Sequence, residues 1–338
     1  MPGAVPLSAD PREASFNQRC SVSMRLDWKT AIVLLVVNAT TGSAWAQSCN
    51  FSISALNFGQ VDTLSEAQTT SSATMNVNCT GTPLARILVC PNIGSGSGGA
   101  TAAARQMLSG TNPLNFQLYS DSARSIVWGS YTWPYPARPP ALAVTLGALG
   151  SATGSRTIYG SVFGNQGTAP PGSYLSSFSG SQTEFRYRYT SSSDCSTLTG
   201  TVVRPSFNVT ATVAANCLVS TQTVDFGTAG VLSSNVDATG QVGVSCTPGT
   251  NYTISLGNGQ TGTSPTSRRM TLGTAGITYG LYRDASRSLP WGSTIGTNTV
   301  AGTGTGVAVG IPVYGRVPPQ TSPAPGTYTD TVVVTVTY

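Results

Sequence analysis

Six of the seven cysteines, those from Cys49 onward, two Asp-x-x-Arg pairs and a proline-walled aromatic run are the residues of this chain with chemistry to offer. From Gln47 onward there is no histidine and no lysine, with thirteen arginines against nine carboxylates. Without an imidazole, neither a Ser-His-Asp nor a Cys-His nucleophile can be assembled. A carboxylate pair could cleave a glycosidic bond, but only Glu184 and Asp194 fall near one another along the extended stretch. A secreted hydrolase is therefore the weakest of three functional classes. The excess of positive charge, about +4 by subtraction (13 − 9), is not clustered. That distribution argues against a nucleic-acid groove.

The cysteines read as bridges. An even number in an exported chain points to disulfides, and six cysteines allow fifteen pairings. Zinc is the rival use, but the chain offers no C-x-x-C pair and no histidine partner. An internal repeat narrows the choice. Residues 105–129 return without a gap at 268–292, identical at 11 of 25 positions, among them Leu118/Leu281, Tyr119/Tyr282, Asp121/Asp284, Arg124/Arg287 and Trp128/Trp291. A second match follows, Tyr159-Gly160 and Pro171-Gly172-Ser173-Tyr174 against Tyr314-Gly315 and Pro325-Gly326-Thr327-Tyr328. The second copy holds only Cys217 and Cys246, which should pair. Cys49 and Cys79 sit at nearly the same spacing, with Phe58-Gly59 following Cys49 as Phe226-Gly227 follows Cys217. Cys90–Cys195 is left as an addition of the first copy.

The elements that carry these residues are strands. Phe207–Val213, residues 252–256 and residues 331–338 alternate apolar and polar side chains, with β-branched residues and Gly, Pro and Asn breaks. Period two of this kind specifies antiparallel β-structure. The expected fold is all-β: two tandem antiparallel sandwiches, at 47–203 and 204–338. In such a frame the Asp121/Arg124 pair and its copy Asp284/Arg287 read as a strand ending in a turn, with Trp128 and Trp291 capping the core. Ahead of the repeat, Met24, Arg25, Lys29, the apolar run 31–37 and the small-residue exit 44–46 have the layout of a secretory signal. Cleavage is expected after Ala46, with Met24 as the true start, and the run is too short for a membrane anchor.

The Cys…Phe-Gly…Cys opening, the LY-x-D…WG element, the YG turn and the PG-x-Y approach to a final Thr/Val strand resemble the spore coat protein U domain. That family includes the subunits of archaic (Csu-type or sigma) chaperone–usher pili. The likeness is strong over 204–338 and looser over 47–203, which carries insertions and the additional cysteine pair. It implies immunoglobulin-like sandwiches, the C-terminal one lacking its final strand, with Val332, Val334, Val336 and Tyr338 on the strand beside the gap. The implied partners are a periplasmic chaperone, an outer-membrane usher and an adjacent pilin subunit that donates a β-strand. No cofactor is implied.

Two differences between the copies then carry the functional expectation. The expected cleavage leaves only Gln47-Ser48 ahead of Cys49, too short to donate, which fits the distal tip of a fibre exported through the periplasm to the cell surface. The first copy also continues 29 residues past Tyr174 (to Val203), chain enough to complete itself. The competing source for its last strand is Phe207–Val213. The former is preferred, because Phe207–Val213 should open the second domain. Between Trp128 and Tyr159 the first copy is eight residues longer than the second (31 − 23), around the stiff stretch 131–140. Tyr131, Trp133 and Tyr135 there, then Leu142, Leu146 and Leu149, and lastly Leu175 and Phe178, are the expected contacts to an abiotic or host surface. A tip adhesin is the leading reading; a non-fibrous spore-coat or matrix protein with self-complete domains is the alternative.

Overall fold

The computed structural model describes residues 46–133 and 138–338. Tyr135 and the expected leader ahead of Ala46 lie outside the described residues. The first sandwich contains β1 (Ser48–Ile53), β2 (Leu56–Val61), β3 (Thr69–Thr80), β4 (Arg86–Pro91), β5 (Arg105–Ser109), β6 (Asn112–Tyr119), β7 (Leu142–Thr145), β8 (Ser151–Val162), β9 (Gly172–Phe178), β10 (Phe185–Tyr189), β11 (Thr201–Val203) and β12 (Phe207–Val213). One sheet runs β1-β3-β8-β6-β5-β9-β12-β2 and the other β11-β10-β4-β7. The second sandwich contains β13 (Cys217–Gln222), β14 (Val236–Cys246), β15 (Asn251–Leu256), β16 (Arg268–Leu272), β17 (Ala275–Tyr282), β18 (Val300–Thr303), β19 (Val309–Val317) and β20 (Val334–Thr337). Its sheets run β13-β14-β19-β17-β16 and β18-β15-β20. Among the described residues no helix is long and apolar enough to cross a membrane.

The repeat is visible strand for strand. β13, β14, β15, β16, β17, β18, β19 and β20 stand where β1, β3, β4, β5, β6, β7, β8 and β10 stand in the first copy. In the first copy β9 leaves one sheet and β10 continues in the other, so a single stretch of chain serves both layers. Facing apolar residues of the two layers form each core. Trp128 and Trp291 sit at the centre of their cores, fully buried. Each indole donates to a carbonyl across the sandwich, Trp128 Nε1 to Pro91 O at 2.8 Å and Trp291 Nε1 to Ile254 O at 3.0 Å.

The structure corrects one assignment. Phe207–Val213 does not open the second sandwich. As β12 it lies antiparallel to β9, with Val209 opposite Ser176 and Ala211 opposite Tyr174. On its other side it lies parallel to β2, the one parallel pairing among the described strands of a fold read from sequence as antiparallel. Phe207, Val209, Ala211 and Val213 all bury in the first core. Burying this face contributes about 6 kcal/mol at roughly 2 kcal/mol for each large side chain. The 29-residue extension has a different job. It supplies β10 and β11 to the opposite sheet, where Cys195 bonds Cys90.

All three expected disulfides are present: Cys49–Cys79, Cys90–Cys195 and Cys217–Cys246. Cys49–Cys79 and Cys217–Cys246 join directly opposed residues of β1/β3 and β13/β14. Cys90–Cys195 closes a separation of 105 residues. Replacing Cys90 and Cys195 together by Ser should lower the stability of the first sandwich by about 4–5 kcal/mol in the chain-entropy view. In calorimetry this is about 10 °C on the first transition, with the second sandwich unmoved.

Candidate functional site

The Asp-x-x-Arg pairs are architecture in both copies. Asp121 accepts from the Ile126 amide at 2.7 Å and the Ser125 amide at 3.1 Å; Asp284 accepts from the Leu289 amide at 2.7 Å and the Ser288 amide at 3.1 Å. The Ile126 amide foremost, aided by Ser125, holds the Asp121 carboxyl below its ordinary range, and the Ser286 hydroxyl leads the same effect on Asp284. Arg124 and Arg287 adopt left-handed backbone, φ 56° and 58°. Their Nε atoms donate to Gly160 O at 3.1 Å and Gly315 O at 2.9 Å, and each guanidinium lies 5.8 Å from a ring, that of Tyr159 or Tyr314. Both oxygens of each carboxylate and the Nε of each arginine are thus engaged in holding this turn.

Arg105 and Arg268, which head the two repeat copies, are buried completely. Arg268 donates to Gly257 O at 2.8 Å, Pro265 O at 2.6 Å and Trp291 O at 2.7 Å. Arg105 likewise reaches Gly94 O at 2.7 Å and Trp128 O at 2.8 Å. These carbonyls satisfy a cation that burial alone would expel, and burial pushes the Arg268 pKa down. Sequence reasoning gave these arginines no role, although their place at the start of each repeat was the available signal.

The two copies diverge at the position of β12. In the second sandwich no described strand occupies it, and the segments matching β2 and β9 are not strands either. Residues 223–232 and 322–332 instead wall a cleft of about 1040 Å³. Its floor is apolar: Val242, Leu256, Ile277, Leu281, Val313 and Val317. Tyr279, Asp330 and Tyr328 also line it. Repeated local geometry fixes both walls. Asn57 Oδ1 accepts from the Gly59 amide and Asp225 Oδ1 from the Gly227 amide, both at 2.8 Å. Tyr174 donates to Pro170 O and Tyr328 to Ala324 O, both at 2.7 Å. Of the residues expected beside the gap, Val332 and Val334 line the cleft. Val336 packs on the second core outside the cleft lining, and Tyr338 is largely exposed. That is a correction with a simple cause: β20 crosses to the opposite sheet and pairs with β15, away from the gap.

The expected surface contacts need a larger correction. Trp133 is only 8 % exposed and stacks under Arg105, whose guanidinium carbon lies 4.7 Å from the ring centre. The Tyr131 hydroxyl donates to Cys195 O, and its amide to Asn92 Oδ1 at 2.7 Å. Leu146 and Phe178 are buried, and Leu142 packs against the core. Tyr131 and Trp133 thus cover the sandwich and do not project from it. Leu149, by contrast, is 88 % exposed. It stands beside Leu84, which sequence reasoning missed and which is 72 % exposed. Their turns are knit by Gly81 N to Gly150 O at 2.8 Å and Leu146 N to Ala85 O at 2.9 Å. Leu84 adopts φ 62°, a conformation that costs a residue with a Cβ about 1–2 kcal/mol. An exposed leucine held in strained backbone is an outlier of the kind found at functional loops.

These tips occupy one pole of the first sandwich. β8 starts beside them and runs 12 residues, about 40 Å at roughly 3.3 Å per residue. Beyond its far end, Gly167 touches Gly306 of the second sandwich, where a Cβ on Gly306 would come within 1.9 Å of the Gly167 carbonyl oxygen. Leu84 and Leu149 therefore lie at the pole opposite this contact.

Fold and cleft define a class: tandem immunoglobulin-like sandwiches, one whose extra strand position is filled by β12 and one in which no described strand fills it. The Spore Coat Protein U domain model matches residues 33–179 and 204–335. The chain belongs to that family. It is 36 % identical to Protein U of Myxococcus xanthus, over 34 % of this chain and 72 % of that protein. Its fold is similar to that in the CsuC-CsuE chaperone-tip adhesion subunit pre-assembly complex of the archaic chaperone-usher Csu pili of Acinetobacter baumannii. There the TM-score is 0.50 and the identity 16 %, over 86 % of this chain and 100 % of that one. The CupB6 tip adhesin of Pseudomonas aeruginosa aligns at 11 % identity and a TM-score of 0.34, over 85 % of this chain and 93 % of that one.

Proposed function

We propose that this chain is the tip adhesin of an archaic chaperone–usher pilus, acting in surface attachment and biofilm formation. The carrying observation is the asymmetry between its sandwiches: β12 fills the first, and the equivalent place in the second is a 1040 Å³ cleft. Such a cleft suits a β-strand lent first by a periplasmic chaperone and then, at the outer-membrane usher, by the next pilin. A subunit with one filled and one open acceptor ends a fibre. Leu84 and Leu149, at the pole opposite the contact with the second sandwich, then meet the surface. Apolar tips on hydrogen-bonded turns lose little conformational freedom on contact.

The test uses pilus-bearing cells and purified filaments. Antibody to the first sandwich should mark filament ends, and label along the shafts would refute the tip placement. Leu84→Gly combined with Leu149→Ser should cut attachment to an apolar surface at least tenfold while filament number is unchanged. The fold should survive, because relief of left-handed strain, about 1–2 kcal/mol, offsets the extra chain entropy of glycine, about 0.5–1 kcal/mol. Undiminished attachment by the double variant would remove these leucines from the contact. A coat or matrix role predicts instead that the second sandwich folds cooperatively with no added strand.

A further inference from the structure

The open cleft and its filled counterpart carry different chemistry at an inward-facing position of the ninth strand's place. The bridge Leu108↔Leu175 in the first sandwich matches Thr271↔Thr329 in the second. This register aligns Ser176 with Asp330, and the repeat aligns Phe116 with Tyr279. In the first sandwich Ser176 is fully buried directly opposite Val209 of β12. Opposed residues of an antiparallel pair share one face of the sheet, so an apolar side chain covers that hydroxyl.

In the second sandwich a carboxylate takes the place of the hydroxyl. Asp330 Oδ1 accepts from Gln260 N at 2.9 Å and Thr331 N at 2.8 Å, and Oδ2 accepts from the Tyr279 hydroxyl at 2.7 Å. Gly259, at φ 81°, packs so closely that a Cβ there would come within 2.0 Å of Oδ2, which closes that approach. A carboxylate has about four acceptor sites. With three donors among the described residues, Asp330 retains capacity on Oδ2 for what enters the cleft it lines.

We infer that Asp330 sets the chemistry of the strand that fills this cleft, selecting a hydrogen-bond-donating side chain at the facing position where β12 carries Val209. The inference rests on the strand-acceptor reading above. A strand laid over the cleft takes the carboxylate out of water, and an apolar residue opposite leaves its last acceptor site unmet in a dry interior. Ser, Thr, Asn or Gln supplies the missing donor. The same residue rejects β12 of a second copy, whose valine would face it, so that the chain's own closing strand is unsuited to its own open cleft.

The test adds strand peptides to the full mature chain during refolding. One peptide carries residues 205–215; the other carries the same residues with Val209→Thr. Binding is read by anisotropy of labelled peptide and located by hydrogen-exchange protection of residues 224–232 and 326–332. The Thr peptide should bind at least tenfold more tightly, and Asp330→Ser should abolish or reverse the preference. Asp330→Asn, which keeps an acceptor for Gln260 and removes the charge, should narrow it and serves if the serine variant misfolds. Equal affinity of both peptides for the unaltered chain would overturn the role of Asp330 while leaving the strand-acceptor reading intact. Protection by neither peptide would overturn both.

Discussion

Val209→Asp is expected to unfold the first sandwich and leave the second as it was. Val209 is fully buried at the middle of β12, flanked by β9 on one side and β2 on the other. Losing the valine removes about 2 kcal/mol of apolar burial. A carboxylate in its place must also be desolvated with no cation opposite, at several kcal/mol more. The sum exceeds about 5 kcal/mol, which reaches the lower end of the total stability of ordinary domains. Once β12 is expelled, the apolar face it covered lies open and cooperativity is lost. Proteolysis should then cut within 47–213 and spare the compact remainder from Cys217 onward. A variant that still melts in two transitions at the original temperatures would show that β12 is dispensable, contrary to its packing.

Trp128→Ala and Trp291→Ala form a second, paired prediction. The two indoles are equally buried and make equivalent hydrogen bonds, so each truncation costs about 3–5 kcal/mol from cavity formation alone. The outcomes should nevertheless differ. The first sandwich has a filled strand position and an additional disulfide to draw upon, and should melt lower yet remain folded. The second lacks the corresponding strand, so the same loss should leave it without a cooperative transition unless a strand peptide is supplied. Thermal unfolding of the two variants side by side measures this. Equal destabilisation with both sandwiches still folded would mean that the cleft contributes no weakness.

Much of the architecture was legible because the chain states it twice. Pairing Cys217 with Cys246 in the simpler copy identified Cys49–Cys79, and elimination then identified Cys90–Cys195. The turn built on Asp121 and Arg124 could be assigned to structure because its copy recurs where the surroundings diverge. Alternation in Phe207–Val213 was equally plain, but period two reveals only that one face is buried and not which core receives it. With only residues 214–216 between β12 and β13, both destinations were within reach.

The contact residues were harder for a different reason. Proline density at 134–140 suggests stiffness, and stiffness does not distinguish a projecting loop from one laid flat. Trp133 lies flat because Arg105, remote in sequence, offers its guanidinium to the ring. Leu149 was within reach as the last of three leucines on a Gly-rich turn. Leu84 carried no comparable mark, since neither its left-handed φ nor its neighbour across the turn is written in local sequence.

The placement of β12 has a mechanical consequence. Its last residue, Val213, is joined to the second sandwich through only three residues, 214–216, so tension passing between the sandwiches enters the first along the axis of this strand. β12 is clasped on both flanks, antiparallel to β9 and parallel to β2. Pulling along it therefore loads the two ladders in shear, many bonds at once, where a peripheral strand would unzip rung by rung. A molecule tethered by one sandwich and gripping with the other would thus bear drag on its most firmly held segment.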